Sequence, residues 1–294
     1  MNKQAKAYLY ASLAVAMWST VGAAFKLTLR YVDPVQMLWF ASFVSIVVLT
    51  VILIIQGKAG ELLRQSPKDL LRSSYLGILN PFLFYLVLFT SYDLLLTQEA
   101  VVINFSWPIT ITILSILILG QKITYKSFIA ILVSFAGIVI IAFKGDFSAL
   151  EFTNPLGVAL ALLSTVIWAF FWILNVKDRR DETVKLLLNF ISGFIIITVY
   201  ILITGRAVIP SWQAVAGTAY IGIFEMGVAY VLWLKGLTMS STTDKVSILI
   251  FLAPFVSLVI INLAVGEAIL PSTMVGLVFI VGGILLQRYW LRRR

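Results

Sequence analysis

Ile103-Asn104-Phe105-Ser106-Trp107-Pro108 sets an amide, an indole and a helix-breaking proline inside an otherwise apolar run. A counterpart lies 146 residues further on: at that offset Pro108 meets Pro254, Phe105 meets Phe251, Gly120 meets Gly266, Gly137 meets Gly283 and Phe84 meets Tyr230. The chain is one unit written twice. Proline inside a helix removes a backbone donor and frees the carbonyl one turn back. When it recurs at the same place in both halves of a membrane protein, it points to a transport site near mid-membrane. Pro108 and Pro254 are therefore expected as hinges, set against the plainer account that membrane helices tolerate a kink.

Composition fixes the class. Of 294 residues, 61% are hydrophobic and 12% charged, against roughly 25% charged in a soluble domain. The sequence contains neither cysteine nor histidine, which removes disulfides, thiolate chemistry, the usual metal ligands and the side chain that titrates most readily near neutral pH. No metal and no cofactor is expected, and any coupling to protons falls to carboxylates. The net charge of +9 comes from Lys and Arg placed between apolar runs, so it reports membrane orientation and not nucleic-acid binding. No nucleotide loop, metal cluster or catalytic triad is present, and an enzyme has nothing to rest on. The apolar run after Lys3 and Lys6 leads into Lys26 and Arg30 without a small-residue cleavage pattern, and reads as a retained first helix.

About 20 apolar residues cross a bilayer core of roughly 30 Å, and ten such spans are expected here: 8–25, 35–55, 75–92, 100–119, 128–143, 155–176, 186–204, 212–234, 246–265 and 274–290. The halves divide as residues 1–146 and 147–294, in the hydrophilic stretch 144–154. With the N-terminus taken as cytoplasmic, the outside segments hold only Lys26, Arg30, Lys144 and Arg206, and every other basic residue falls inside. That asymmetry places both termini in the cytoplasm. Five helices per half make the second half enter from the opposite face, so the fold class is an all-α membrane protein of ten transmembrane helices in two inverted five-helix repeats, an arrangement suited to alternating access.

Within such spans the informative residues are the polar and ionisable ones. Glu225, in Gly222-Ile223-Phe224-Glu225-Met226-Gly227, costs a few kcal/mol at mid-span unless it is protonated, paired or facing water. It is a candidate substrate-amine contact or proton carrier, or else a structural hydrogen bond. The amides of Asn80 and Asn104 both donate and accept, which suits a zwitterion, though asparagine also joins helices. Trp18, Tyr85, Trp107, Trp168 and Tyr230 lie inside spans and away from the interfacial belt. They are candidates to line a cavity that stacks a ring or holds an amine by cation–π attraction. Lys26 and Lys177 are expected to reach for the interface.

Trp18-Ser19, Asn104-Phe105-Ser106-Trp107-Pro108, Ala229-Tyr230-Val231-Leu232-Trp233, Ala253-Pro254-Phe255 and Gly266-Glu267 together resemble the EamA family of the drug/metabolite transporter superfamily. The resemblance covers nearly the whole chain. The Asn-x-x-Trp-Pro segment is similar to that of bacterial aromatic amino-acid and methyl viologen exporters, which have an aromatic residue and then Leu between Asn and Trp. Phe105 fits that pattern and Ser106 departs from it. Gly120-Gln121 likewise departs from the family's Gly-Glu. The resemblance implies a basket of ten helices around a central cavity in the bacterial cytoplasmic membrane, and at Trp18, Asn104, Trp107, Pro108, Tyr230 and Pro254 it adds motif positions. It also implies export of a small-molecule substrate. Amino acids or related metabolites are the first expectation, organic cations or drugs the alternative, and protons a possible partner.

Overall fold

A computed structural model of the chain describes residues 2–107, 109–110, 113–114, 117, 125–143, 154–176, 178–240 and 248–291; within them every regular element is helical and none is a strand. In lipid this follows from the backbone, since a helix satisfies its own N–H and C=O groups where water is absent. The first half contains α1 (Lys3–Thr28), α2 (Pro34–Ile55), a span built of α3 (Pro67–Gly77), a π turn (Ile78–Leu83) and α4 (Phe84–Leu94), then α5 (Thr97–Asn104) and α6 (Tyr125–Ala142). The second contains α7 (Pro155–Val176), α8 (Glu182–Thr204), a span built of α9 (Trp212–Tyr220), a π turn (Ile221–Glu225) and α10 (Val228–Met239), then α11 (Ala253–Val265) and α12 (Pro271–Leu291). Six of these spans are long and apolar enough to cross a membrane, and shorter apolar helices cover 128–141, 249–265 and 271–286. The protein is therefore a multi-span α-helical membrane protein. Ile55, Ile203 and Leu263 point outward and are exposed, as lipid-facing side chains should be.

Local signals set the helix ends. Asp33 accepts from Val35 N and Gln36 N ahead of Pro34, and Ser66 accepts from Asp69 N ahead of Pro67; in both, proline takes the first-turn position that lacks an N–H partner anyway. The third span consequently begins at Pro67 and not near Tyr75, because Lys68, Asp69 and Arg72 belong to its first turns. Lys26 does not simply reach for the interface: its ammonium donates to the carbonyls of Tyr92 and Leu95 at 2.8 and 2.9 Å, where α4 ends.

The two halves meet about a pseudo-two-fold axis, and α6 and α12 show its sense. A Cβ on Gly137 would lie 2.5 Å from the Gly276 carbonyl oxygen, and one on Gly283 would lie 2.6 Å from that of Ala130. Ser134 Oγ donates to Ile280 O at 3.1 Å between them. At the 146-residue offset the two glycine contacts exchange and Ser134 becomes Ile280, so the axis passes through this seam. Residues ascending along α6 meet residues descending along α12. Equivalent helices that run antiparallel make the repeats inverted. The remaining neighbours obey the same exchange, α1 packing on α10 as α7 packs on α4, and α2 on α8.

At the end of the bundle shared by the α2–α3 and α7–α8 connections, polar contacts tie the halves together. Arg180 grips the Asp178 carboxylate at 2.6 to 3.1 Å, and it also donates to Ser73 Oγ, Gln65 Oε1 and the Asp69 carbonyl. Lys58 pairs with Asp181, and these two line an open cavity of about 430 Å³ together with Gln56, Thr183, Leu234 and Lys235. Burial alone would raise the carboxyls of Asp178 and Asp181. Hydrogen bonds from Arg180 and Lys58 respectively outweigh it and hold both below the usual carboxylate range. The Asp181 bond raises Lys58.

Gly137→Ala and Gly283→Ala should each cost roughly 1–3 kcal/mol through overpacking and lower the thermal midpoint in detergent. Gly282→Ala, whose Cβ would meet nothing within 4 Å, should hold or raise that midpoint, since alanine is the better helix former. The depressed carboxyls contribute stability above about pH 4 that is lost as pH falls through their lower folded values. Lys58 contributes below its ordinary range and loses that contribution only in strong alkali. Midpoints measured from pH 8 to 3 should therefore hold to about pH 4 and then fall, and Asp178→Asn should lower the plateau and flatten the acid limb.

Candidate functional site

The third span of each half breaks at the same place, and that break builds the site. Gly77-Ile78-Leu79-Asn80 with Tyr85 matches Gly222-Ile223-Phe224-Glu225 with Tyr230 at an offset of 145. The sequence expectation that Phe84 answers Tyr230 is thus off by one in this helix. Contacts fix the correct register. A Cβ on Gly77 would strike the Asn189 carbonyl, and one on Gly222 would lie 2.6 Å from the Ala41 carbonyl. One turn on, Gly193 abuts the Pro81 ring as Ser45 Oγ donates to Met226 O at 3.0 Å. The π turns open the backbone, Asn80 taking φ −147° and ψ 118° and Gly227 φ −106° and ψ −88°. Each turn swings one polar side chain toward the axis.

What meets there is a four-member hydrogen-bonded chain. Tyr85 OH donates to Glu225 Oε1 at 3.0 Å, Asn80 Nδ2 donates to Tyr230 OH at 3.3 Å, and the two hydroxyls lie 3.1 Å apart. A phenol has one hydrogen. With that of Tyr85 committed to Glu225, Tyr230 donates to Tyr85, and every donor in the chain points toward the carboxylate. The two-fold exchange carries the Asn80–Tyr230 bond onto the Glu225–Tyr85 bond and leaves the tyrosine pair on the axis. The site is thus a symmetric frame with an amide on one side and a carboxylate on the other. Asn80, Tyr85 and Tyr230 are sealed and Glu225 is only 7% exposed, while Glu225 Oε2 and Asn80 Oδ1 have no hydrogen-bond partner among the described residues.

Aromatic rings enclose the chain. Trp18 and Trp168, half-buried, approach the Tyr230 ring edge-on at 6.1 and 5.9 Å. Trp233 stands 5.4 Å from Trp18, Phe84 4.6 Å from Trp168, and Phe190 6.4 Å from Tyr230. These last three were missed in the sequence, although Trp233 follows Tyr230 by three residues and so shares its helix face. Of the expected residues, the structure brings Trp18, Asn80, Tyr85, Trp168, Glu225 and Tyr230 into one cluster.

Others stand apart. Asn104 ends α5 and donates to Ser164 Oγ at 2.9 Å, one turn before Trp168 on α7. Trp107, half-buried, packs on the core beyond the break at Phe105–Ser106. Pro254 is not inside a continuous helix: a 3₁₀ turn (Ile248–Leu252) hands over to α11 there, and proline occupies the first turn. Pro108, Gly120, Gln121, Lys144 and Lys177 lie outside the described residues. Glu267 has a structural task. Its carboxylate accepts from Thr97 N and Oγ1 and from Gln98 N at 2.7 to 3.3 Å, capping α5 from the other half, with Gly266 at φ 80° turning the chain to reach it.

Comparison with known proteins agrees with the fold. The EamA-like transporter family matches residues 5–143 and 155–289. An uncharacterized transporter of Archaeoglobus fulgidus is 24% identical over 95% of this chain and 97% of its own length. Protein PecM of Dickeya dadantii is 26% identical over 72% of this chain and 71% of its own. The uncharacterized transporter YyaM of Bacillus subtilis is 25% identical over 90% and 88%. A crystal structure of another protein superposes with a TM-score of 0.69 over 98% of each chain at 18% identity, a likeness of fold.

The bond between Tyr85 and Glu225 yields a testable coupling. Tyr85→Phe and Glu225→Leu should each destabilise the protein toward SDS-induced unfolding in micelles. A double-mutant cycle should give a coupling of about 1–2 kcal/mol, because the first change removes the donor and the second the acceptor of the same bond. Strictly additive effects would contradict the bond.

Proposed function

Because the chain belongs to the EamA-like transporter family, we propose that it is a secondary transporter, active or facilitative, that exports amino acids or related small metabolites across the cytoplasmic membrane by alternating access. The observation that carries this reading is the carboxylate–tyrosine–tyrosine–amide chain on the axis, ringed by Trp18 and Trp168. Its members come alternately from the two halves, so a rocking of residues 1–146 against 147–294 loads all three of its hydrogen bonds. A substrate that hydrogen-bonds to these groups replaces the lost bonds and so lowers the cost of passing between inward-open and outward-open states. Glu225 supplies the single carboxyl of the chain, which holds a substrate ammonium when ionised or exchanges a proton. Pro108 and Pro254 are the proposed hinges, Pro254 at the junction of the 3₁₀ turn and α11, and Asn104 and Trp107 are proposed to contact the substrate on its way.

The charge distribution supports both termini in the cytoplasm, since 18 of the 22 basic residues fall on that side. The bacterial cytoplasmic membrane is the compartment in which such an exporter operates. One observation favours a second cargo. A carboxylate beside two tryptophans and two tyrosines also suits an organic cation, through charge and cation–π attraction.

Counterflow in liposomes across labelled aromatic, branched and hydroxylic amino acids, with and without a proton gradient, separates the two. Saturable exchange of a subset is expected. Exchange of cationic dyes alone would replace amino acids by drugs as the cargo. Glu225→Gln should reduce flux at least tenfold or abolish its pH dependence at unchanged expression, and an unaltered flux and pH profile would remove Glu225 from the mechanism.

A further inference from the structure

Asn189 on α8 belongs to none of the contacts above through its side chain. It is completely buried, yet neither Oδ1 nor Nδ2 has a hydrogen-bond partner among the described residues. A sealed amide with four unmet hydrogen-bonding capacities is costly to keep at this depth unless something completes it. Its neighbourhood is the site. The Asn189 carbonyl touches the face of Gly77, three residues before Asn80. Gly193, one turn on, lies against the Pro81 ring, and the adjacent Phe190 is the ring that faces Tyr230 at 6.4 Å.

The inverted repeat provides an internal control. Ala41 makes toward Gly222 the contact that Asn189 makes toward Gly77, and Ala41 is equally buried. The same helix junction therefore forms with a methyl group, and packing does not require an amide at this position. Asn80 Oδ1 is an unmet acceptor on the same junction, and Glu225 Oε2 is its unmet counterpart on the junction of the other half. Together these atoms offer negative or acceptor character from the two π turns and a free N–H₂ donor from α8. A zwitterion satisfies both, since it carries a charged donor and a charged acceptor in one small molecule.

We propose that Asn189 is the specificity-determining contact for a substrate α-carboxylate, with Nδ2 donating to it while the substrate ammonium bonds to Glu225 Oε2. This rests on the amino-acid reading and narrows it: zwitterionic α-amino acids are the substrate class, and an amine lacking the carboxylate is a poor substitute.

The test is counterflow in proteoliposomes with matched pairs, phenylalanine against phenethylamine and leucine against 3-methylbutylamine, for the wild type, Asn189→Ala and Asn189→Ser. The wild type should favour each amino acid over its amine at least tenfold. Asn189→Ala, which installs the residue the other half already uses, should lower kcat/KM for the amino acid about tenfold, chiefly through KM, and leave the amine within twofold. Asn189→Ser, which keeps a donor, should recover part of the preference. A merely structural Asn189 would instead lower the thermal midpoint and affect both substrates alike. That result, or an unchanged preference in a folded variant, overturns the assignment while the amino-acid reading stands. If Asn189→Ala does not fold, the Ser variant and the wild-type preference decide: equal use of amine and amino acid by the wild type overturns it. Absence of counterflow for every amino acid by the wild type removes the underlying reading and this one with it.

Discussion

No water reaches the hydrocarbon core to complete a polar group, so every hydrogen-bonding atom placed at that depth must be met by protein or by cargo. The fold answers this demand in two ways. Most polar side chains turn back onto their own helix, as Ser19 does to the Val15 carbonyl and Thr28 to that of Ala24, and these make the bundle no more than a stack of apolar cylinders. A few reach across to the other half. Ser45 to Met226, Asn80 to Tyr230 and Tyr85 to Glu225 all do so, and all three involve a π turn or the helix leaving it. Breaking the regular backbone at two equivalent points is what creates partners at the centre.

That arrangement accounts for the position of the small residues as well. Close approach of backbones is what lets α8 reach the first π turn and α2 reach the second, and glycine stands at both crossings, Gly77 and Gly222. A side chain at either would push the helices apart and pull the tyrosines away from the axis. The aromatic ring around the chain then follows from helix periodicity, since Tyr230 and Trp233 share one face and Trp168 and Phe84 meet across the α4–α7 contact. Fold and candidate site are in this sense the same object: the interactions at the centre of the cluster also hold the halves together.

Much of this was written in the sequence, and some was misread for identifiable reasons. Composition and the recurring proline gave the class and the duplication, because both depend on counts that tertiary contacts do not alter. Glu225, Asn80 and the tyrosines stood out as polar atoms in apolar runs. The 146-residue offset, however, is anchored by Gly137 and Gly283. One residue is gained between the third and fifth spans of the second half, and the offset of 145 that aligns Gly77-x-x-Asn80 with Gly222-x-x-Glu225 was overlooked although both motifs end in a tyrosine five residues on. Asn189 escaped notice since one amide among leucines and isoleucines resembles interhelical glue, and only its lack of partners separates it. The start of α3 lies earlier than an apolar run alone indicates, because Ser66-Pro67 with Asp69 is a helix start whatever the side chains that follow.

The exchange of Asn80 for Glu225 across an otherwise even frame bears on the resting state of the molecule. In a perfectly duplicated inverted pair, turning the protein upside down reproduces it, and the conformations open to either side would have equal free energy. One carboxylate facing one amide ends that degeneracy. The Glu267 carboxylate that clasps α5 from the opposite half acts in the same direction, for the matching position of the first half carries the neutral Gln121. The molecule thus has a built-in polarity, an up and a down, that its architecture alone would not give it.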